Sequence, residues 1–130
     1  MTATLITAAL LALMLFLLSA WCVAGRVKFN VMLGDGGNEE LILRLRTQAN
    51  FTEYVPMALT LILLLETARI GPAWLPAALG AVLLTGRLAH ALGLLKTREL
   101  SAGRLLGMIL TMLVLVVGAA AALGRGIGLW

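Results

Sequence analysis

The sequence predicts an all-α integral membrane protein, a bundle of four helices in a single domain covering residues 1–130. The first reason is composition. The 130 residues are 62% apolar and 12% charged, with a mean hydropathy of +1.04, whereas soluble domains carry about 45–50% apolar and about 25% charged residues. The second is the recurrence of apolar runs near the roughly 20 residues needed to cross a hydrocarbon core at about 1.5 Å rise per residue. The third is that backbone groups in lipid must be bonded within their own segment, which makes these runs helices. Four spans absorb roughly 80 residues and leave short connections. One cysteine and one histidine exclude a disulfide framework and a His/Cys metal cluster.

The first span covers about residues 3–25, and no charged side chain occurs from Met1 to Gly25. The run exceeds the roughly 7–15 apolar residues of a signal peptide and lacks its basic leader, so a retained span is expected. A loop is predicted from Arg26 to Asn38, with Gly34-Asp35-Gly36-Gly37 as a turn. Asn38 can cap a second helix over 39–68, and Glu39 and Glu40 then face the positive end of its dipole. At roughly 45 Å that helix outreaches a core of about 30 Å, so its first two turns protrude. A third span lies over 73–95 and a fourth over 102–124, with Ser101 as its cap. Cys22 reads as a small buried residue, and Trp21, Trp74 and Trp130 as interface anchors. Gly103 and Gly107 stand four apart, a spacing that lets helices approach closely, although small residues abound in membrane helices in any case.

The net charge of +4 would suggest nucleic acid in a soluble protein. Here the basic residues border apolar runs, so they report orientation and no nucleic-acid partner is expected. Arg26, Lys28, Arg44, Arg46, Lys96, Arg98 and Arg104 cluster near the first and third connections, against Arg69 and Arg125 at the opposite surface. The first and third connections are therefore predicted to face the cytoplasm, with both termini on the other side.

Polar residues at membrane depth carry the functional information. Arg46, Asn50, Glu53 and Tyr54 stand at offsets 0, 4, 7 and 8, within one face at 100° per residue. An ionisable group there needs a partner or a wet pocket. A structural Arg46–Glu53 pair, with the arginine snorkelling to the interface, is the plain reading for either of those two alone; four residues on one stripe favour a site. Arg87 and His90 lie one turn apart in the third span, too deep for simple anchors, and Glu53 is a candidate to neutralise Arg87. Arg104 occupies the first turn of the fourth helix, where the dipole disfavours a cation and the local potential suits an anion or thiolate. Together with Arg26 these side chains offer guanidinium donors for carboxylates or phosphates. Four helices enclose little space, which points to a pocket between subunits.

The stretch Arg46-Thr47-Gln48-Ala49-Asn50-Phe51-Thr52-Glu53-Tyr54-Val55-Pro56, followed by a leucine-rich run ending in Glu66, resembles the signature of the MAPEG family. These are the membrane-associated proteins in eicosanoid and glutathione metabolism, among them microsomal glutathione transferases. The resemblance implies a homotrimer that binds glutathione as co-substrate at each subunit interface, near one face of the membrane, which the distribution of basic residues makes the cytoplasmic one. It implies glutathione contacts from Arg46, Asn50, Glu53 and Tyr54, with Gln48 as a further motif position. Arg26 resembles the family's arginine ending helix one, Arg87 its helix-three arginine, and Arg104 the helix-four arginine held near the thiol. Gln48 lies about 200° from Arg46 around the helix, which points it across another interface. Eicosanoid-making members carry tyrosines after the helix-three arginine. Here His90 and Leu94 occupy that region, so His90 joins the implied binding set and leukotriene synthesis is not inferred.

The expected chemistry is attack by an Arg104-stabilised thiolate on a lipophilic electrophile or lipid hydroperoxide arriving from the bilayer, with no metal. Two other classes compete. A small four-span multidrug exporter needs a membrane carboxylate, which the exporters it would resemble carry in the first span; that span has none, and the arginines around Glu53 and Glu66 would repel cationic drugs. A membrane protein that binds glutathione or a lipid anion without turnover would use the same pocket.

Overall fold

The computed structural model describes residues 1–96 and 101–129. Helices α1 (Thr2–Phe29), α2 (Glu39–Thr67), α3 (Leu75–Lys96) and α4 (Ala102–Gly126) follow one another in the chain, and no strand occurs among the described residues. The fold is the predicted all-α four-helix membrane bundle. Arg98, Trp130 and the side chain of Lys96 lie outside the described residues.

Local chemistry sets the helix ends. Asn38 Oδ1 accepts from Leu41 N–H at 3.0 Å, and Ser101 Oγ accepts from Arg104 N–H at 3.3 Å, so both predicted caps are present. The first helix runs to Phe29, beyond the expected end near Gly25. Arg26 and Lys28 occupy its last turn, where cations meet the negative end of the dipole, and Asn30 closes it in the left-handed conformation with φ 53°. The start of α1 has no side-chain cap of its own. Glu66, at the end of α2, accepts from Ala3 N–H at 3.0 Å and from Thr4 N–H at 2.8 Å, filling that role from another helix.

The helices alternate in direction. Glu66 meets Thr4, Arg44 meets Trp21, and Gly93 meets Arg104. Helices α2 and α3 form the inner diagonal, each touching the other three, while α1 and α4 stand on opposite sides and do not touch. The core lies on the diagonal, from Leu11 of α1 through Phe51, Ala58 and Ile62 of α2 and Leu83 of α3 to Val114 of α4. Helices α1, α3 and α4 are long and apolar enough to cross a membrane. Helix α2 has comparable length but is diluted by the acids and bases in its first half.

Close approach of α3 and α4 depends on glycine. A Cβ at position 103 would stand 2.9 Å from Ala89 O, and one at 107 would stand 2.5 Å from Gly86 O and 2.6 Å from His90 Cβ. The Gly103–Gly107 spacing is therefore an interface feature. Gly118 packs on Leu61 of α2, whereas Gly126 faces open space.

Candidate functional site

The predicted stripe on α2 divides in the folded bundle. Buried positions of α2 recur at Leu41, Arg44, Thr47, Phe51, Val55, Ala58, Ile62 and Leu65. Opposite them Arg46 and Glu53 are exposed, while Asn50 and Tyr54 are half-buried and lie 40–80° further round toward the other helices. No ion pair joins Arg46 to Glu53 among the described residues; seven positions separate them by roughly 10 Å of rise.

Arg87 is 1% exposed, the bulkiest fully buried side chain among the described residues. Its Nη2 donates to Asn50 Oδ1 at 2.6 Å and its Nη1 to Thr111 Oγ1 at 3.5 Å. The guanidinium carbon stands 6.0 Å from the Phe51 ring centroid. Glu53 does not neutralise it, because that carboxylate points out of the bundle. His90, one turn on, is buried, and among the described residues neither its Nδ1 nor Arg87 Nε has a partner. The Asn50 amide thus ties α2 to α3, and its Nδ2 reaches Met108 Sδ of α4 at 3.7 Å.

At the end of the bundle where α2 and α4 begin and α3 finishes, a cleft of about 330 Å³ is lined by Glu39, Ile42, Leu43, Arg46, Leu94 and Arg104. That volume lies at the small end of the range for ligand pockets. Two arginines 58 positions apart in sequence therefore share one cavity. Ile42, Leu43 and Leu94 form its apolar wall, and the Glu39 carboxylate shares it with the two guanidinium groups.

Other expected contacts lie elsewhere. Arg26 donates through Nη1 to the carbonyls of Val31, Met32 and Gly34, the last at 2.9 Å, so it shapes the α1–α2 loop. Gln48 Nε2 donates to Ser19 Oγ at 2.7 Å, which turns it toward α1 of its own chain. Cys22 is buried as expected, and its thiol donates to Arg44 O at 3.3 Å.

Sequence reasoning treated Arg44 only as an orientation marker. It is 9% exposed, donates to Trp21 O at 2.8 Å and to Glu40 Oε1 at 2.5 Å, and stacks 5.0 Å from the Trp21 ring centroid. Its stem fills the space left by Gly25, where a Cβ would come 2.8 Å from Arg44 Cδ. The available signal was Glu40 four residues before Arg44, the favoured order for a helical ion pair. Arg44→Met keeps much of the volume and loses the bonds. It is expected to cost about 2 kcal/mol, read as an earlier thermal unfolding transition in detergent.

The family model described as "MAPEG family" matches residues 4–124. The chain is also similar to the inner membrane protein YecN of two Escherichia coli strains, each 40% identical over 86 residues. Those residues are 66% of this chain and 65% of each relative, so the chain spans about two thirds of the proteins it matches. An α-helical bundle with three strongly apolar helices, an Arg-x-x-x-Asn-x-x-Glu-Tyr segment on α2, and a family match over nearly the whole length have one reading: the chain is a multi-pass integral membrane protein that belongs to the MAPEG family.

Proposed function

We propose that the protein is a glutathione-dependent transferase or peroxidase of the membrane, assembled as a homotrimer with one glutathione at each subunit junction near the cytoplasmic face. The observation that carries this reading is the meeting of Arg46 and Arg104 in one cleft. Two guanidinium groups there suit a ligand with more than one anionic group, Arg46 taking a carboxylate bidentately and Arg104 a second anion, the thiolate. Glutathione offers two carboxylates and a thiol.

The exposure of Glu53 supports the assembly. This residue lies about seven positions, or roughly 10 Å of rise, inside the two protruding turns of α2, and a carboxylate facing lipid there is costly. A neighbouring subunit laid against the Arg46–Glu53 face removes that cost and completes the pocket.

In the reaction, Arg104 holds the glutathione sulfur as thiolate. In transfer, the sulfur forms a bond to an electrophilic carbon and the leaving group departs with its electron pair. In hydroperoxide reduction, two thiols become a disulfide while the hydroperoxide becomes an alcohol and water. The lipophilic partner enters from the bilayer along apolar helix faces.

Calorimetric titration of the purified protein in detergent with glutathione tests the reading. Saturable binding is expected, weakened more than tenfold in Arg46→Ala, together with conjugation of a chloronitrobenzene. Binding without conjugation would remove the enzymatic part, and absence of binding would remove the whole.

A further inference from the structure

Arg87 is a full positive charge inside the bundle, with no carboxylate partner among the described residues. At 1% exposure it cannot meet a ligand without opening the helices. Its shortest bond goes to Asn50 Oδ1, at 2.6 Å. A guanidinium only donates, so the Asn50 amide must present its oxygen inward, and its NH₂ group then points away. There, among the described residues, it finds only the Met108 thioether at 3.7 Å, a weak acceptor, which leaves donor capacity on a half-buried side chain.

We propose that Arg87 is a positioning residue. It holds the Asn50 amide in one of its two orientations, so that Nδ2 is offered to a carboxylate or carbonyl oxygen of the bound peptide, and Arg87 itself does not touch that peptide. The inference rests on the glutathione reading above and gives Arg87 a role different from the direct contact that the family resemblance implies.

A double-mutant cycle read by glutathione calorimetry tests it. Arg87→Met replaces the buried charge by an apolar side chain of similar reach and leaves Asn50 Oδ1 without its donor. In the wild-type background it is expected to weaken binding at least tenfold. In an Asn50→Ala background it is expected to weaken binding less than threefold, because the residue it acts through is gone. Equal losses in both backgrounds would mean direct contact with the ligand and would overturn the proposal.

Where Asn50→Ala does not fold, Asn50→Asp decides. It keeps a partner for Arg87 but puts an acceptor where a donor is needed, so the melting temperature should hold while affinity falls at least tenfold; affinity within twofold of wild type refutes the proposal. If the wild-type protein itself fails to bind glutathione, the functional reading falls, and the amide orientation is then decided by NMR of ¹⁵N-asparagine-labelled protein. The Asn50 side-chain protons are expected to exchange slowly and to shift in Arg87→Met. Exchange as fast as that of the exposed Asn30, with no response to Arg87→Met, overturns it.

Discussion

Arg104→Ala is expected to displace the pH–rate profile of glutathione conjugation by about two units toward alkali. A free thiol has a pKa of about 8.5, and lowering it by two units takes about 2.7 kcal/mol. One charge-assisted bond in a partly dry cleft contributes roughly 1.5–3 kcal/mol, so a single arginine suffices. At pH 7 the wild type would hold most of its bound glutathione as thiolate and the variant only a few per cent, roughly a 25-fold loss of rate. The sign is specific. The thiolate is the charged form, so removing its cation raises the pKa, and the two proteins should converge above about pH 9.5, where both thiols are ionised. An unchanged profile would take the role away from Arg104. Ser101 caps α4 three residues earlier, so the backbone that carries Arg104 stays in place when the guanidinium is removed.

The second large effect is structural. Gly107→Val is expected to pry α3 from α4, because a Cβ there would stand 2.5 Å from Gly86 O and 2.6 Å from His90 N and Cβ. Two of those three atoms are backbone, which cannot rotate aside as a side-chain tip would. Overpacking costs about 1–3 kcal/mol where side chains can yield, so at this site about 3 kcal/mol or more is expected. The readout is a fall in melting temperature in detergent, or loss of the monodisperse peak on size exclusion. Gly126→Val is the control. It lies on the same helix with nothing within 4 Å of its Cβ position, and it should leave both measurements unchanged. Because His90 forms one wall of the Gly107 contact, a milder Gly107→Ala should also disturb the neighbourhood of Arg87.

Much of the bundle was readable in advance because the signals are local. Span length and hydropathy give helices α1, α3 and α4. Asn38 and Ser101 act on N–H groups three residues away, and such caps depend on little beyond the adjacent turn. Disagreements at the ends follow the same logic. Charged Arg26 and Lys28 looked like loop residues, yet a cation in the last turn is favoured by the helix dipole, and α1 continued through them to Phe29.

Sequence alone determined that this is a membrane bundle, that Arg46, Asn50, Glu53 and Tyr54 share a broad face of one helix, and that Arg87 lies too deep to be an anchor. Tertiary structure decided how that face is used. The 100° step between residues sets angles within a helix, but the rotation of α2 against its neighbours comes from packing Phe51, Ala58 and Ile62 into the core. That rotation turned Arg46 and Glu53 outward and Asn50 inward to Arg87. It also buried Arg44 beneath Trp21 and brought Arg46 and Arg104 into one cleft. Contacts between residues tens of positions apart depend on that rotation, and no local pattern encodes it.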